Sequence, residues 1–576
     1  MADWPPDSLR ARLDHEPVEL RFGTSGRRGE VRHLTQLEVY INALAEIEYL
    51  NALPPGEGGV VRGDPFYIAC DLRPSSTRRV AEQGGRGEIA QAIVRAALDA
   101  GMRPVNLGRI PTPALAHYAL ARACGSVMVT GSHIPFDRNG YKLNTSRGEL
   151  LKKDEAPVNE RVARVRETLY RQKLADSPFD PRGDFRAGGG GLPPESGAGR
   201  DAYVARYAGF FAGRPLLGMR VLCYQHSAVG RDILVEILER LGAAAIPAGR
   251  SATFVPIDTE NVQDGLVAAI QEMADRAAAE HGPIDAVVST DGDSDRPLIL
   301  GVEAGRVVFF GGDLLGMVTA EFLGADAVVV PVSCNDAIDR GKLRPALEPR
   351  TRIGSPYVIE GMERARLKGR RAVCGWEANG GFLTGSAIER AGRTLSPLPT
   401  RDAVLPLLAA LAAARERGCP LVELFARLPQ RRSRASLIRD FPRPASAAMM
   451  RRFSPSDEKV REVTFDPLSV IALIGEDGGE IAPSASATSE LGRIREELQR
   501  LFTPELGFSP VGGINWIDGV RVLFSDGEVA HVRPSGNADE LRIYAVADDQ
   551  ERADAIARAG VAEPDGILRR MEKMVR

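Results

Sequence analysis

The chain has 576 residues, 44% of them hydrophobic, and its 74 Lys and Arg nearly balance 77 Asp and Glu. At about 150 residues per domain that length excludes a single core and predicts three or four units, while the near-neutral charge excludes the basic field by which a protein holds nucleic acid. The apolar stretch Ala403 to Ala414 is too short to span a bilayer and reads as a buried helix, and scattered cysteines with no CxxC pair, behind a start with no charged and apolar leader, predict a reduced, cytoplasmic protein without a signal peptide or membrane partner.

The segment Arg21-Phe-Gly-Thr-Ser-Gly-Arg-Arg-Gly29 opens the first unit. Its glycines permit tight turns, and Arg27 and Arg28 offer guanidinium forks to an oxyanion. Helical periodicity over Thr35 to Leu50 is followed by a strand, Phe66 to Cys70, that ends in Asp71-Leu-Arg73. A helix over Gly87 to Ala100 stops at Gly101, and Val105 to Leu107 reads as a strand. The turn Pro111-Thr-Pro113, a helix to Ala123 and a buried strand Ser126 to Val129 complete an α/β domain with a largely parallel sheet, placed at residues 1–190. The Gly- and Pro-rich run Ala187 to Gly199 reads as a connector. A second α/β unit, 200–301, contains the strands Met219 to Tyr224 and Ile284 to Ser289. A third, 302–430, contains the strands Ala327 to Val332 and Arg371 to Cys374, a helix from Asn335, and a loop Thr351 to Tyr357 that leads into a helix. Arg431 to about Pro455, rich in Arg, Ser and Pro, reads as a connector, and 455–576 alternates apolar and polar residues as antiparallel strands do, with helices at Ser489 to Leu501 and Asp549 to Ala559, an α+β unit.

Polar loops follow the strands. Ser132 sits where a strand breaks into Gly- and Pro-rich sequence, beside His133 and upstream of Lys142. A serine there can act as nucleophile or phosphate carrier, and a nearby Lys or His can move its proton. Asp291, Asp293 and Asp295 alternate just past a strand and can converge on a hard cation such as Mg2+. An EF-hand is excluded, because Arg296 stands at the sixth position and Val302 at the twelfth. Glu377 and Asn379, in Gly375-Trp-Glu-Ala-Asn-Gly-Gly381, carry acceptors and donors suited to sugar hydroxyls. Arg533, Ser535, Gly536 and Asn537 read as an anion pocket, with a fork, a hydroxyl and an approachable backbone.

Together these segments resemble the α-D-phosphohexomutase family of phosphoglucomutases and phosphomannomutases, in family order across nearly the whole chain. Phe22 to Gly29 is similar to the amino-terminal motif, Thr130-Gly-Ser-His-Ile-Pro135 with Asn139-Gly-Tyr-Lys142 to the phosphoserine loop, and Asp291 to Arg296 to the metal loop. Gly375 to Gly381 is similar to the sugar loop and Arg533 to Asn537 to the phosphate-binding loop. The resemblance implies four domains around a central cleft, three α/β units with mixed sheets and a carboxy-terminal α+β unit. It implies interconversion of hexose 1-phosphate and hexose 6-phosphate, of mannose or glucose, through phosphorylated Ser132 and a hexose 1,6-bisphosphate intermediate. Mg2+ would be held by Asp291, Asp293, Asp295 and phosphorylated Ser132. Lys142 would be the general acid/base, with Arg28, His133 and Arg296 around the phosphate and Arg352 at the substrate. The ligand would be a small-molecule sugar phosphate, and the protein a monomer or homodimer. Ile134, Ser294, Asn379 and Asn537-Ala-Asp539 depart from the commonest family residues, Asn, Gly, Ser and Thr-Glu-Pro. A phosphoglucosamine mutase, a metal-dependent phosphatase and a non-catalytic sugar-phosphate-binding protein are the competing readings.

Overall fold

The first sheet begins with short strands Arg21–Phe22 (β1) and Arg27–Glu30 (β2) and continues through Pro65–Cys70 (β3), Arg103–Asn106 (β4), Ser126–Val129 (β5) and Arg138–Thr145 (β6). The computed structural model describes residues 4–23, 25–187, 190–260, 262–466, 470–475, 479–535 and 539–576. These fall into two units, Met1–Asp326 with Met362–Phe425, and Ala327–Gly361 with Ala426–Arg576. In the first sheet the order is β1-β2-β6-β5-β3-β4. β3 runs parallel to β4 and β5, whereas β6 is antiparallel to both β5 and β2. The sheet is therefore mixed, not largely parallel. The link 130–137 is shorter than the dozen or so residues a parallel crossover needs, so the chain can only double back beside β5.

Helices Gln36–Ala52 (α1), Ile89–Asp99 (α2), Thr112–Leu120 (α3) and Glu155–Arg171 (α4) belong to this part of the unit. Thr35 caps α1 by accepting from the Glu38 amide, and Pro111 and Pro113 set the first turn of α3. Ile41, Ile47, Ile68, Ile93 and Val127 lie in one apolar core, each no more than 1% exposed.

After helix Ala198–Phe210 (α5), a second sheet is built from Arg220–His226 (β7), Ala244–Arg250 (β8), Ala286–Thr290 (β9), Pro297–Glu303 (β10) and Arg306–Phe309 (β11), with helices Arg231–Arg240 (α6) and Asp264–His281 (α7). Its order is β8-β7-β9-β10-β11, parallel at β7 and antiparallel beyond β9. Further along come Gly312–Leu323 (α8), the antiparallel strands Val373–Trp376 (β12), Phe382–Thr384 (β13) and Leu398–Asp402 (β14), and Val404–Arg417 (α9). Val404 to Ala414 of α9 is buried throughout, as its unbroken apolar sequence requires.

The second unit contains an antiparallel sheet of Arg432–Arg439 (β15), Val460–Phe465 (β16), Val470–Gly475 (β17), Glu480–Ile481 (β18), Val511–Asn515 (β19), Val520–Phe524 (β20), Val529–Pro534 (β21) and Glu540–Ala547 (β22). The order is β15-β22-β21-β20-β19-β16-β17-β18. Helices Arg443–Arg452 (α10), Ala485–Leu501 (α11) and Gln550–Val561 (α12) accompany it. This corrects the reading of Arg431 to Pro455 as a connector. Among the described residues β15 is an edge strand paired with β22 alone, so it needs no fully apolar face and can carry its arginines outward. Arg431 just before it is buried and bonds both carboxylate oxygens of Asp336 at 2.7 and 2.8 Å and Asp548 at 2.6 Å. The helix expected from Asn335 is a single 3-10 turn, Asp336–Asp339, with Asn335 as its cap. Among the described residues, no helix is long and apolar enough to cross a membrane.

Candidate active site

Strand β5 ends at Val129, and the chain turns at Ser132 with φ +52°, a left-handed conformation costly for a residue with a Cβ. The turn is held from below. Arg73, 1% exposed, donates to the carbonyls of Ser132 at 3.0 Å, Pro135 at 2.7 Å and Arg138 at 2.8 Å, and also to that of Ile134. Asp71 accepts from the Thr130 hydroxyl at 2.8 Å and the Gly131 amide at 3.2 Å, and Thr130 Oγ1 accepts from the Ser132 amide at 2.7 Å. Gly131 is required, since a Cβ there would lie 2.6 Å from the Arg73 guanidinium carbon. The Ser132 hydroxyl is thereby fixed against the loop that leaves β9: it donates to Asp291 Oδ2 at 2.7 Å. His133 Nδ1 lies 3.3 Å from the same oxygen.

The β9–β10 loop brings three buried carboxylates together, with one oxygen each from Asp291, Asp293 and Asp295 inside 4.8 Å of one another. Asp291 Oδ1 accepts from the amides of Asp295 at 3.1 Å and Arg296 at 3.2 Å. Lys142 Nζ donates to Asp293 Oδ2 at 2.7 Å and Asp295 Oδ2 at 2.6 Å. Thr112 at the start of α3 donates to Asp293 Oδ2 at 2.6 Å, and Arg401 at the end of β14 donates to Asp295 Oδ2 from Nε at 3.1 Å and Nη2 at 2.9 Å. The other oxygens of Asp293 and Asp295, both Oδ1, are buried without a hydrogen bond. Buried carboxylate oxygens without a hydrogen bond on converging side chains are a donor set a hard divalent cation takes, since Mg2+ prefers hard oxygen ligands. The residues present fit that ion.

Charge is distributed unevenly here. Burial, then the proximity of Asp293 and Asp295, pushes the Asp291 carboxyl well above the usual range. Burial works the same way on Asp293 and Asp295, but it is outweighed at the first by Lys142 together with Thr112 and Arg401, and at the second by Arg401 together with Lys142 and Arg296, so both lie below their ordinary value. Burial and Arg296 bring His133 down to about 3, leaving a neutral imidazole beside the serine. Arg28, on β2, is lowered to about 10 by burial, against the pull of Asp293; it donates to the carbonyls of Arg27 at 2.8 Å and Tyr141 at 3.2 Å.

Sequence reasoning placed Lys142 in a loop. It lies within β6, opposite Met128 of β5, and this fixes its ammonium more firmly than a loop would. Ser294 has φ +58°, the conformation a glycine would supply, and its hydroxyl accepts from the Gly230 amide at 2.9 Å and from Thr290 Oγ1 at 2.8 Å. Arg296 Nε is 3.7 Å from Asp295 Oδ1.

Glu377 and Asn379 follow β12 in the same unit and are buried. Glu377 Oε2 accepts from Arg401 Nη1 at 2.8 Å, so one guanidinium joins this loop to Asp295. Asn379 Oδ1 accepts from the Gly381 amide at 3.0 Å, and its carbonyl accepts from Thr259 Oγ1 at 2.9 Å. In the second unit, Asp518 accepts from Arg533 Nε at 2.8 Å and from the Ile353 amide at 3.0 Å, which brings the segment carrying Arg352 to the strand carrying Arg533. Ser535 donates its amide to the Glu540 carbonyl at 2.9 Å. Gly536 and Asn537 lie outside the described residues.

Asp71, Arg73, Thr112 and Arg401 were not singled out from sequence as functional. The first two were visible as a charged Asp-Leu-Arg at the end of a strand, and Thr112 as the centre of a Pro-Thr-Pro turn. Arg401 had no local signal.

Three family models match the chain: phosphoglucomutase/phosphomannomutase alpha/beta/alpha domain I over residues 19–168, domain III over 311–432 and the C-terminal domain over 489–562. A phosphomannomutase of Sinorhizobium fredii is 36% identical over 94% of this chain and 98% of its own length. One of Salmonella muenchen is 34% identical over 93% of each. A crystal structure of a phosphoglucomutase/phosphomannomutase family protein from Burkholderia thailandensis superposes with a TM-score of 0.62 at 16% identity, covering 97% of this chain and 98% of that one, a likeness of fold.

Proposed function

The chain belongs to the phosphoglucomutase/phosphomannomutase family, and from that premise we propose that it is a phosphohexomutase that interconverts hexose 1-phosphate and hexose 6-phosphate, with mannose as its first substrate. The observation that carries this reading is the Ser132 hydroxyl, held 2.7 Å from Asp291 at the edge of three buried carboxylates. The choice of mannose is supported by the two phosphomannomutases that align over nearly their whole length.

In the forward direction Ser132 carries the phosphoryl group. The free hydroxyl of the sugar phosphate attacks that phosphorus. The bond from phosphorus to Ser132 Oγ breaks as a bond to the sugar oxygen forms, giving hexose 1,6-bisphosphate, and the sugar's proton passes to a base. The returning half-reaction takes the other phosphate back to Ser132 Oγ. Lys142 is the candidate acid/base, because its ammonium already stands at Asp293 and Asp295 and is fixed by a strand. Mg2+, when bound by Asp291, Asp293, Asp295 and the phosphorylated serine, neutralises charge on the transferring group. Arg28 and Arg296 add positive charge beside the carboxylates, and neutral His133 stands within reach of the serine oxygen. Glu377 and Asn379 are the sugar-hydroxyl partners. Arg352, Arg533 and Ser535, with Gly536 and Asn537, are the candidates for the phosphate that is not reacting. We place the enzyme in the cytoplasm, acting on small sugar phosphates as a monomer or homodimer.

The test is turnover of mannose 1-phosphate, glucose 1-phosphate and glucosamine 1-phosphate in separate reactions with Mg2+ and a trace of hexose 1,6-bisphosphate. Formation of mannose 6-phosphate without free phosphate, lost on chelation with EDTA and in Ser132→Ala, is the expected result. Preference for glucosamine 1-phosphate would replace the sugar, stoichiometric release of phosphate would make the protein a phosphatase, and binding without turnover would make it a sugar-phosphate-binding protein.

A further inference from the structure

Arg401 is 3% exposed, and its charge is buried between the carboxylates of Asp295 and Glu377. Its five N–H donors have a fixed planar arrangement. Nε and Nη2 converge on the single oxygen Oδ2 of Asp295, at 3.1 and 2.9 Å, and Nη1 reaches Oε2 of Glu377 at 2.8 Å. Lys142 takes the same Oδ2 of Asp295, which leaves Oδ1 as the oxygen without a hydrogen bond. The stem of Arg401 lies on Gly381, where a Cβ would come within 2.5 Å of Arg401 Cδ and 2.7 Å of Cγ. The strand end behind it is pinned at Asp402, which accepts from Tyr203 at 2.6 Å, from Tyr207, and from the Val404 amide at 2.9 Å.

We propose that Arg401 is a positioning residue that sets two things at once: which oxygen of Asp295 faces a divalent cation, and where Glu377 stands for the sugar. A fork that commits Oδ2 turns Asp295 into a one-oxygen ligand through Oδ1, and the same rigid plane fixes the angle of the Glu377 carboxylate. The cation site and the sugar loop therefore lean on one side chain, which orients each through separate N–H donors. The sugar half of this inference rests on the mutase reading; the cation half rests on the carboxylates alone.

The experiment titrates Mn2+ into the full-length, metal-free protein without sugar, read by electron paramagnetic resonance, and separately measures kcat and KM for mannose 1-phosphate. Arg401→Lys keeps the charge and removes the fork. Gly381→Ala keeps the arginine and displaces it. Glu377→Gln disturbs only the sugar side. Arg401→Lys and Gly381→Ala are each expected to weaken Mn2+ binding by roughly 10- to 100-fold, the usual consequence of losing a partner that orients a metal ligand, and to raise KM. Glu377→Gln is expected to raise KM while its Mn2+ affinity stays within about twofold of wild type, because Asp295 keeps both fork bonds. Wild-type Mn2+ affinity in both Arg401→Lys and Gly381→Ala overturns the proposal, as does an equal loss of Mn2+ binding in Glu377→Gln. A thermal melt of each variant accompanies the titration; if Arg401→Lys does not fold, Gly381→Ala decides. Absence of any turnover by the wild type, with the Mn2+ pattern as expected, removes the mutase reading and leaves the orientation of Asp295 by Arg401 standing.

Discussion

Ser132 and Asp291 are 159 residues apart in the chain and share a hydrogen bond of 2.7 Å. The serine hydroxyl donates to Asp291 Oδ2, and the other oxygen of that carboxyl is taken by the amides of Asp295 and Arg296. The aspartate thus has one oxygen spent on shaping its own loop and one facing the Ser132 hydroxyl. Ser132→Ala is expected to abolish phosphoryl uptake from hexose 1,6-bisphosphate, measured as the mass of the intact protein, because among the described residues no other hydroxyl donates to that carboxylate. Asp291→Asn is expected to retain the fold and reduce turnover by about 100-fold or more through loss of cation binding. Uptake of phosphate by Ser132→Ala would move the carrier elsewhere.

Arg73 supports the serine turn with four carbonyl acceptors and lies face-on to the Phe254 ring at 3.8 Å. Its removal strands those carbonyls and leaves Asp71 as a buried carboxylate whose own value is already pushed up, first by burial. Arg73→Ala is expected to cost about 3–5 kcal/mol, the scale for breaking one side of a buried pair, seen as a lower first transition in thermal melting and as proteolytic cleavage near residues 131–138. Arg73→Lys restores charge without the fork and should recover only part of the loss. A melting profile unchanged in Arg73→Ala would show that the turn holds itself.

The sequence made the loops legible and left their supports obscure. The Asp-Gly-Asp-Ser-Asp run, the Ser132 turn and the Gly375 to Gly381 loop announce themselves because their chemistry is local, a few residues with unusual spacing. Arg73, Thr112 and Arg401 act on atoms 59, 181 and 106 residues away, respectively, and an arginine or threonine before folding gives no sign of such a partner. The multi-domain α/β reading with mixed sheets and a separate carboxy-terminal domain came from the motifs and is borne out by the family models and the fold likeness. What composition misjudged was β15: a run of Arg and Ser resembles a connector, yet an edge strand needs only one neighbour and tolerates solvent on the rest. Asn139, expected in the phosphoserine loop, lies instead in β6, buried and bonded to Ser75 and Ser76 at 2.9 and 3.1 Å.

His531, on β21, is buried and lowered to about 4, first by burial, with Arg521 adding to that and the carbonyl of Asp518 opposing it. Its Nε2 lies 2.6 Å from that carbonyl and its Nδ1 has no partner. The folded value is below that of an unfolded histidine, about 6.5, so the neutral ring's contribution to stability is complete above that pH and is lost as the pH falls from about 6.5 toward 4. His226, also about 4 and mainly from burial, acts in the same direction in the first unit. Melting temperature is therefore expected to decline across that window, and His531→Gln, which keeps a donor and cannot be protonated, should flatten the decline in the transition of the second unit. An identical pH profile in the variant would assign the acid sensitivity to other groups.

Gly292 sits inside the carboxylate loop with no side chain, and the reason is the serine turn. A Cβ at that position would lie 2.7 Å from the Ser132 carbonyl oxygen, which is backbone and is already bonded to Arg73, and 3.3 Å from the Phe254 ring. Neither neighbour is a flexible tip that could rotate aside. Gly292→Ala must then separate the two loops by a fraction of an ångström or more, lengthening the bond from Ser132 to Asp291 while leaving every functional group in place. Misplacement of reacting groups by about 1 Å costs on the order of 100-fold in rate, so kcat is expected to fall by roughly 10- to 100-fold with the melting temperature only slightly lowered. Ser294→Gly provides the contrast. It relieves a left-handed residue but deletes the acceptor for the Gly230 amide and Thr290, so it should alter stability more than rate. If both variants lose rate and stability in parallel, the close approach of Gly292 to Ser132 serves packing and not the alignment of the serine with its carboxylate.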